Sequence, residues 1–369
     1  MSLTGNRLLV SFLIFSMLFF AVAQLVRNDP EPDSGADGRQ DANQDAGQDV
    51  RQESSVVSPA TQAAAGDPRI GAEAGSAIPS ALDSEAEATA ASASASASST
   101  VRRDRPGDYS ILGSFDFEEP ARHFKLPKRL REISGLAMLE GNRLLAHDDE
   151  KGTIIEIDYR DGSIVKSFEL GGPRGFVADD LEGIAAAEGR LFIISSTGRL
   201  YEFGESADGG TAPYRMHDTG VGKHHEIEGL AYDPDQRAML LISKNPRDRK
   251  QSELIAIYRW SLDTRRHVED GRILIEASTL ARRIGRNRFQ PSGIERHPET
   301  GNYFVVAARQ RAVAEITPQG TILAVKELKA GRHRQAEGIT FASDNTMVIA
   351  DEGSGKRATL SFYPVAKGR

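Results

Sequence analysis

The chain has 369 residues, a net charge of -7 and no cysteine. So mild an acidic balance gives no reason to expect a nucleic-acid partner, and without thiols there is no disulfide, zinc–thiolate site or cysteine nucleophile. Any folded part is held by its core alone.

Arg7 precedes an apolar run from Leu8 to Val22 that extends, with one glutamine, to Val26. About 19 residues suffice to cross a hydrocarbon core as a helix. The positive charge ahead of them predicts a cytoplasmic N-terminus with everything after Val26 on the far side. Residues 1–27 are therefore expected to be a hydrophobic helix, a signal anchor seated in the bacterial inner membrane through residues 8–26, with the folded part in the periplasm. Ala21-Val22-Ala23 also fits a signal-peptidase site, and cleavage after Ala23 would instead release a periplasmic or secreted protein. Residues 28–106 run through Asp, Gln, Ala, Ser, Gly and Glu, ending in an Ala–Ser alternation from Ala91 to Ser99. They carry too few large apolar side chains to offset chain entropy, so a disordered linker is expected, spanning on the order of 50 Å.

From residue 107 to 369 one motif returns five times: Glu132-Ile-Ser-Gly-Leu-Ala, Asp180-Leu-Glu-Gly-Ile-Ala, Glu226-Ile-Glu-Gly-Leu-Ala, Gln290-Pro-Ser-Gly-Ile-Glu and Gln335-Ala-Glu-Gly-Ile-Thr. A β-rich run follows each motif after a turn: Arg143 to His147, Arg190 to Ser195, Ala238 to Ser243, Asn302 to Ala307 and Thr346 to Ala350. A third run then begins at Thr153, Arg199, Glu253, Ala312 and Thr359. Four short strands per unit of about 46 residues define a propeller blade, so the expected fold is all-β, a five-bladed β-propeller with four-stranded blades. An open β-sandwich leaves the five motifs unexplained. The long third interval predicts insertions near Asn245 to Ser252 and Thr264 to Gly271, and only Ala277 to Arg286 reads as a short helix. The last unit has residues for about three strands, so Tyr109 to Glu118 is expected to pair with it and close the ring.

The first strand of a propeller blade lines the central channel, so the residues before the motif glycines form a ring: Ser134, Glu182, Glu228, Ser292 and Glu337. Three carboxylates forced together repel and raise one another's pKa. A hard divalent cation relieves that conflict, and calcium accepts six to eight irregular oxygens, so Ca2+ is the expected ligand. The same glutamates can instead bond neighbouring backbone amides and staple blade to blade, and a transition metal suits all-oxygen donors less well. Glu132, Asp180 and Glu226 are weaker metal candidates. Asp148, Asp149, Asp351 and Glu352 end second strands and are assigned to the opposite mouth. Arg286 and Arg288, with Arg332 and Arg334, precede the fourth and fifth motifs and are candidate anion-binding residues, arginine being suited to phosphate and carboxylate. His224 and His225 read as a solvated loop pair, since no zinc spacing is present.

The order of motifs resembles the SdiA-regulated (YjiK-like) family. The carrying residues are Ile133-Ser134-Gly135-Leu136, Asp180-Leu181-Glu182, Ile227-Glu228-Gly229-Leu230-Ala231-Tyr232, Pro291-Ser292-Gly293 and Gln335-Ala336-Glu337-Gly338, with Lys244-Asn245-Pro246 after the third. The resemblance implies a five-bladed propeller with a calcium site behind a membrane segment, and no established activity. The sequence departs from the family pattern at Ser195-Ser196-Thr197 and Ala308-Arg309-Gln310.

No serine-hydrolase elbow, Walker loop or dinucleotide fingerprint is present. Catalytic residues are therefore unassigned, and two functions stand in parallel. One is a calcium-binding module for a ligand or periplasmic protein; the other is a calcium-dependent hydrolase of phosphoesters or lactones, in which the metal polarises oxygen and activates water.

Overall fold

A computed structural model describes residues 109–172, 175–246 and 253–366, without the side chains of residues 245 and 246. The expected membrane segment, the low-complexity linker and part of the expected blade-three insertion lie outside these residues. No helix among the described residues is long and apolar enough to cross a membrane.

The described chain opens with Leu112–Ser114, a single 3-10 turn, and β1 (Arg122–Lys125). Blade one is β2 (Ile133–Leu139), β3 (Arg143–Asp148), β4 (Thr153–Ile157) and β5 (Ile164–Gly172), extended by the short β6 (Gly175–Phe176). Blade two is β7 (Leu181–Ala187), β8 (Arg190–Ser195), β9 (Arg199–Phe203) and, after a detour through β10 (Thr211–Ala212), β11 (Tyr214–Asp218). Blade three is β12 (His225–Asp233), β13 (Ala238–Pro246) and β14 (Leu254–Ser261), with its outer position shared by β15 (Arg266–His267) and β16 (Ile273–Glu276). The helix α1 (Ala277–Arg282) follows, one turn shorter than expected. Blade four is β17 (Gly293–Arg296), β18 (Tyr303–Ala307), β19 (Ala312–Ile316) and β20 (Ile322–Glu327). Blade five is β21 (Ala336–Phe341), β22 (Met347–Asp351) and β23 (Thr359–Tyr363), and its fourth strand is β1.

The ring therefore closes through an N-terminal strand, as expected, but through a different one. Arg122–Lys125 pairs antiparallel with β23, whereas the predicted segment Tyr109 to Glu118 forms the 3-10 turn and a plug. Leu112, Phe115 and Phe117 are buried against Phe304, Val306, Phe341 and Met347, between blades four and five. Three large apolar groups there fill an interface rather than a ladder.

Each blade is buried on both faces, so middle strands read as continuous apolar runs rather than alternating ones. All five residues of Tyr303–Ala307 are buried. Five apolar clusters result, one per blade-to-blade interface. Turn chemistry sets the hairpins: Glu188 and Gly189 both have positive φ, 50° and 74°, as a two-residue turn matched to strand twist requires between β7 and β8. The β9–β11 excursion covers the edge of blade one, where β10 pairs parallel with β5 and Lys166 meets Glu205 at 2.7 Å.

Candidate functional site

The five motif glycines stand in a closed circle about the axis. A Cβ on Gly183 would lie 2.5 Å from Leu230 N, one on Gly229 3.0 Å from Gly293 Cα, and one on Gly293 2.3 Å from Glu337 O. One on Gly338 would lie 3.2 Å from Gly135 C, and one on Gly135 3.2 Å from Ile184 N. The innermost strands thus approach so closely that only hydrogen fits between them. With Ser134, Glu182 and Glu337, these glycines line an axial cavity of about 10 Å³, room for about one water.

In four blades the residue before the glycine is a β-bulge. The ladder shifts register between Ile133 and Gly135, Leu181 and Gly183, Ile227 and Gly229, and Ala336 and Gly338. Ser134, Glu182, Glu228 and Glu337 are the residues left over, and a bulge re-aims the side chain it releases. In blade four the ladder begins only at Gly293, and Ser292 is held by its amide on Val306 O at 2.9 Å.

Burial pushes Glu228 up to about 7, with Lys244 pulling it back and Glu226 and Asp180 adding to the rise. Glu337 is pushed up to about 8 by burial and by Glu228. Glu182 stands well above the carboxylate range, from burial and then from Glu228 and Asp180. The repulsion expected of the ring is therefore present. It is partly answered by Lys244, whose Nζ lies 2.8 Å from Glu228 Oε1. Ser292 takes the stapling role instead: its Oγ donates to Ala336 O at 2.6 Å across to blade five and accepts from Ala308 N at 3.0 Å.

Second-strand ends share this mouth, which corrects the expectation that they lie at the opposite one. Antiparallel pairing puts the end of a second strand beside the start of the first, as Ile133 opposite Asp148 and Ala336 opposite Asp351 show. Asp149, Ser196, Lys244, Ala308 and Glu352 form an outer circle at equivalent positions. Asp149 is raised to about 7 by burial and by Asp148, Glu132 and Glu150; its Oδ1 is buried without a partner. Glu352 is raised to about 8 by burial and its contact with Glu132. Glu132, Asp180 and Glu226 stand in this electrostatic group as well. In the sequence Lys244 stands out only through its place in the family pattern; its position two residues beyond the partner of Gly229 is what places it at the mouth.

The donor chemistry suits a hard cation: carboxyl and hydroxyl oxygens in excess over one lysine, with carboxyl protons that an incoming ion would displace. Their present spacing does not form a cage, since among the described residues no three His, Asp or Glu side chains converge on a metal position. The four candidate arginines divide. Arg332 and Arg334 line one cavity beside blade five, whereas Arg286 donates to Glu327 Oε1 at 3.1 Å on blade four and Arg288 is exposed. His224 is exposed as expected, but His225 is not in a loop; it is buried at the start of β12, with Nδ1 2.6 Å from Tyr258 Oη.

Fold and site define a class: a five-bladed propeller with a crowded carboxylate mouth on its axis. The SdiA-regulated family model matches residues 275–362, from β16 to β23, so the resemblance read from the motifs is borne out over that span. The chain matches no curated protein sequence. Among solved structures, the Myxococcus xanthus glutaminyl cyclase is 13% identical with a TM-score of 0.46, over 66% of this chain and 94% of that one. A luciferin-regenerating enzyme is 12% identical with a TM-score of 0.43, over 67% and 95%. The aldose sugar dehydrogenase of Streptomyces coelicolor, in its PQQ-bound form, is 14% identical with a TM-score of 0.42, over 67% and 97%. Likenesses at this level carry no functional inference.

Proposed function

We propose that this chain is an exported, membrane-tethered β-propeller whose axial mouth binds calcium and which serves as a binding module for a ligand or a periplasmic protein. The observation that carries this reading is the set Glu182, Glu228 and Glu337, three carboxyls at one mouth, Glu228 buried and the other two half-buried, with Lys244 as their countercharge. A divalent ion would be held by Glu182, Glu337 and Ser134, the polar side chains that line the axial cavity, and would relieve the repulsion that Lys244 leaves unanswered. When bound, the ion supplies fixed positive charge; the protein's own residues position it and exclude water from the strands below. The buried His333–Asp351 pair near the mouth, 2.8 Å apart, is closed on its other side by Tyr363 Oη at 2.5 Å. Its imidazole is thus committed to the core, which favours a binding role over acid–base work.

Calcium titrated into the full chain should raise its unfolding temperature saturably, by about 2.7 kcal/mol of stability at a hundredfold excess over the dissociation constant. Glu182→Gln with Glu337→Gln should remove most of that gain. A thermal midpoint indifferent to calcium, or a gain that survives in the double variant, would sink the proposal. The basic cavity on the same face favours hydrolysis as a second reading. Turnover of a phosphoester or lactone that Glu228→Gln abolishes, with the fold intact, would replace the module by an enzyme.

A further inference from the structure

A second cavity opens at the same mouth face, off the axis, beside blade five. It holds about 370 Å³. His123 and Lys125 of β1, Arg332 and Arg334 of the loop before β21, and Lys356 and Arg357 of the loop before β23 line it. Asp351 and Glu352 form its wall on the channel side.

Five fixed cations meet only two carboxylates there, and both are already engaged, Glu352 by the side-chain amide of Gln335. Asp351 accepts from the Gln335 amide at 3.2 Å and contacts His333 at 2.8 Å. Arg357 donates to Leu126 O at 2.6 Å and Lys125 O at 3.0 Å, neutral acceptors that fix the guanidinium without cancelling its charge. Arg332 keeps a buried Nε without a hydrogen-bond partner. The carboxylate that pairs with it, Glu119, stands 3.7 Å away and is itself 77% exposed. A buried, charged N–H without an acceptor is costly, and an incoming oxyanion removes that cost.

We infer that this cavity binds a phosphate group, carried by a soluble phosphomonoester or by a phospholipid headgroup, between Arg332, Arg334 and the rim formed by β1 and β23. A phosphate brings about -1.5 to -2 charge and three acceptor oxygens, enough to engage two arginine forks and a lysine together. A carboxylate brings about half that charge and two acceptor oxygens rather than three, so it engages fewer of the cavity's cations at once. The cavity volume lies at the small end of organic-ligand sites, large enough for a phosphate with a short substituent. None of its lining residues belongs to the inner axial ring, and Glu352 alone is shared with the outer circle of the mouth. Because His123 and Lys125 come from the strand that closes the propeller, occupancy should also stabilise that closure.

Inorganic phosphate titrated into the full chain in the presence of EDTA should give saturable heat. Arg332→Gln with Arg334→Gln should weaken binding at least about tenfold, while Arg160→Gln, at the opposite face, should leave it unchanged. Acetate at equal ionic strength should not compete. Glycerol phosphate and phosphatidylglycerol vesicles then separate the two sources: displacement by the first identifies a soluble ester, displacement by vesicles alone a headgroup. An unchanged unfolding midpoint without phosphate shows that the double variant folds; if it does not, the single Arg334→Gln change at an exposed position carries the test. Absence of saturable phosphate binding, equal competition by acetate, or full affinity in the variant would overturn the assignment.

Discussion

His147 occupies the position that Ile194, Ile242, Val306 and Ala350 fill in the other blades, each opposite its motif glycine. It is fully buried, with Nδ1 near Asp148 O at 3.1 Å and Nε2 without a partner. Burial holds its pKa down at about 4, so the folded protein refuses a proton that the unfolded chain accepts at about 6.5. A depressed histidine pKa makes the unfolded state the greater proton binder throughout that window, and stability falls as pH falls from 6.5 toward 4. His297, also held at about 4 by burial, acts in the same direction. His147→Ile, the residue of blades two and three, should leave stability near pH 7.5 little changed and recover on the order of 2 kcal/mol at pH 4.5. Urea unfolding at the two pH values checks this; an equal shift at both would remove the proton from the explanation.

At the scale of elements, the motif glycines and the bulges beside them set how near the inner strands come. Gly293→Ala would drive a Cβ to 2.3 Å from Glu337 O, a backbone atom with no flexible end to yield. Overpacking of that kind should cost about 3 kcal/mol, whereas Gly113→Ala, with nothing within 4 Å, should be neutral or slightly stabilising. Denaturant midpoints of the two variants decide it. The same regularity explains why so much of the fold was legible in the sequence. Runs such as Arg190 to Ser195, Arg199 to Phe203 and Ala312 to Ile316 coincide with strands because each is punctuated by a turn and repeats in phase with a motif. The closing strand was not legible: Arg122–Lys125 is four residues of alternating exposure, while Tyr109 to Glu118 carries more apolar mass and reads as the better strand. The placement of Asp149 and Glu352 failed for a geometric reason, since strand direction, not composition, decides which mouth a strand end faces. Pocket membership was beyond reach as well, because Arg332 and Lys125 meet only after the ring has closed.

For the whole molecule, closure is the property on which the other features depend, since an open ring would expose two sheet edges and break one of the five apolar interfaces. Closure is secured by more than β1. Glu315, fully buried on β19, accepts from Ser110 Oγ at 2.6 Å, from Leu112 N at 2.9 Å and from Asn302 Nδ2 at 2.8 Å, and from Ile111 N as well. One carboxylate thereby fixes the entry of the chain to blade four, so that Leu112, Phe115 and Phe117 fill the cleft toward blade five. Ala366 N then donates to Ser114 O at 2.8 Å, tying the last described residues to the first. Glu315→Ala would deprive two buried donors, Leu112 N and Asn302 Nδ2, and two more accessible ones of their acceptor at once, a loss of about 3 kcal/mol. Because the plug and β1 are held separately, the variant should keep its propeller while loosening the entry segment. Limited proteolysis should then cut within residues 109–121 before any blade is lost, and the urea midpoint should fall. Protection of that segment equal to the wild type would show that the aromatic plug alone holds the seam.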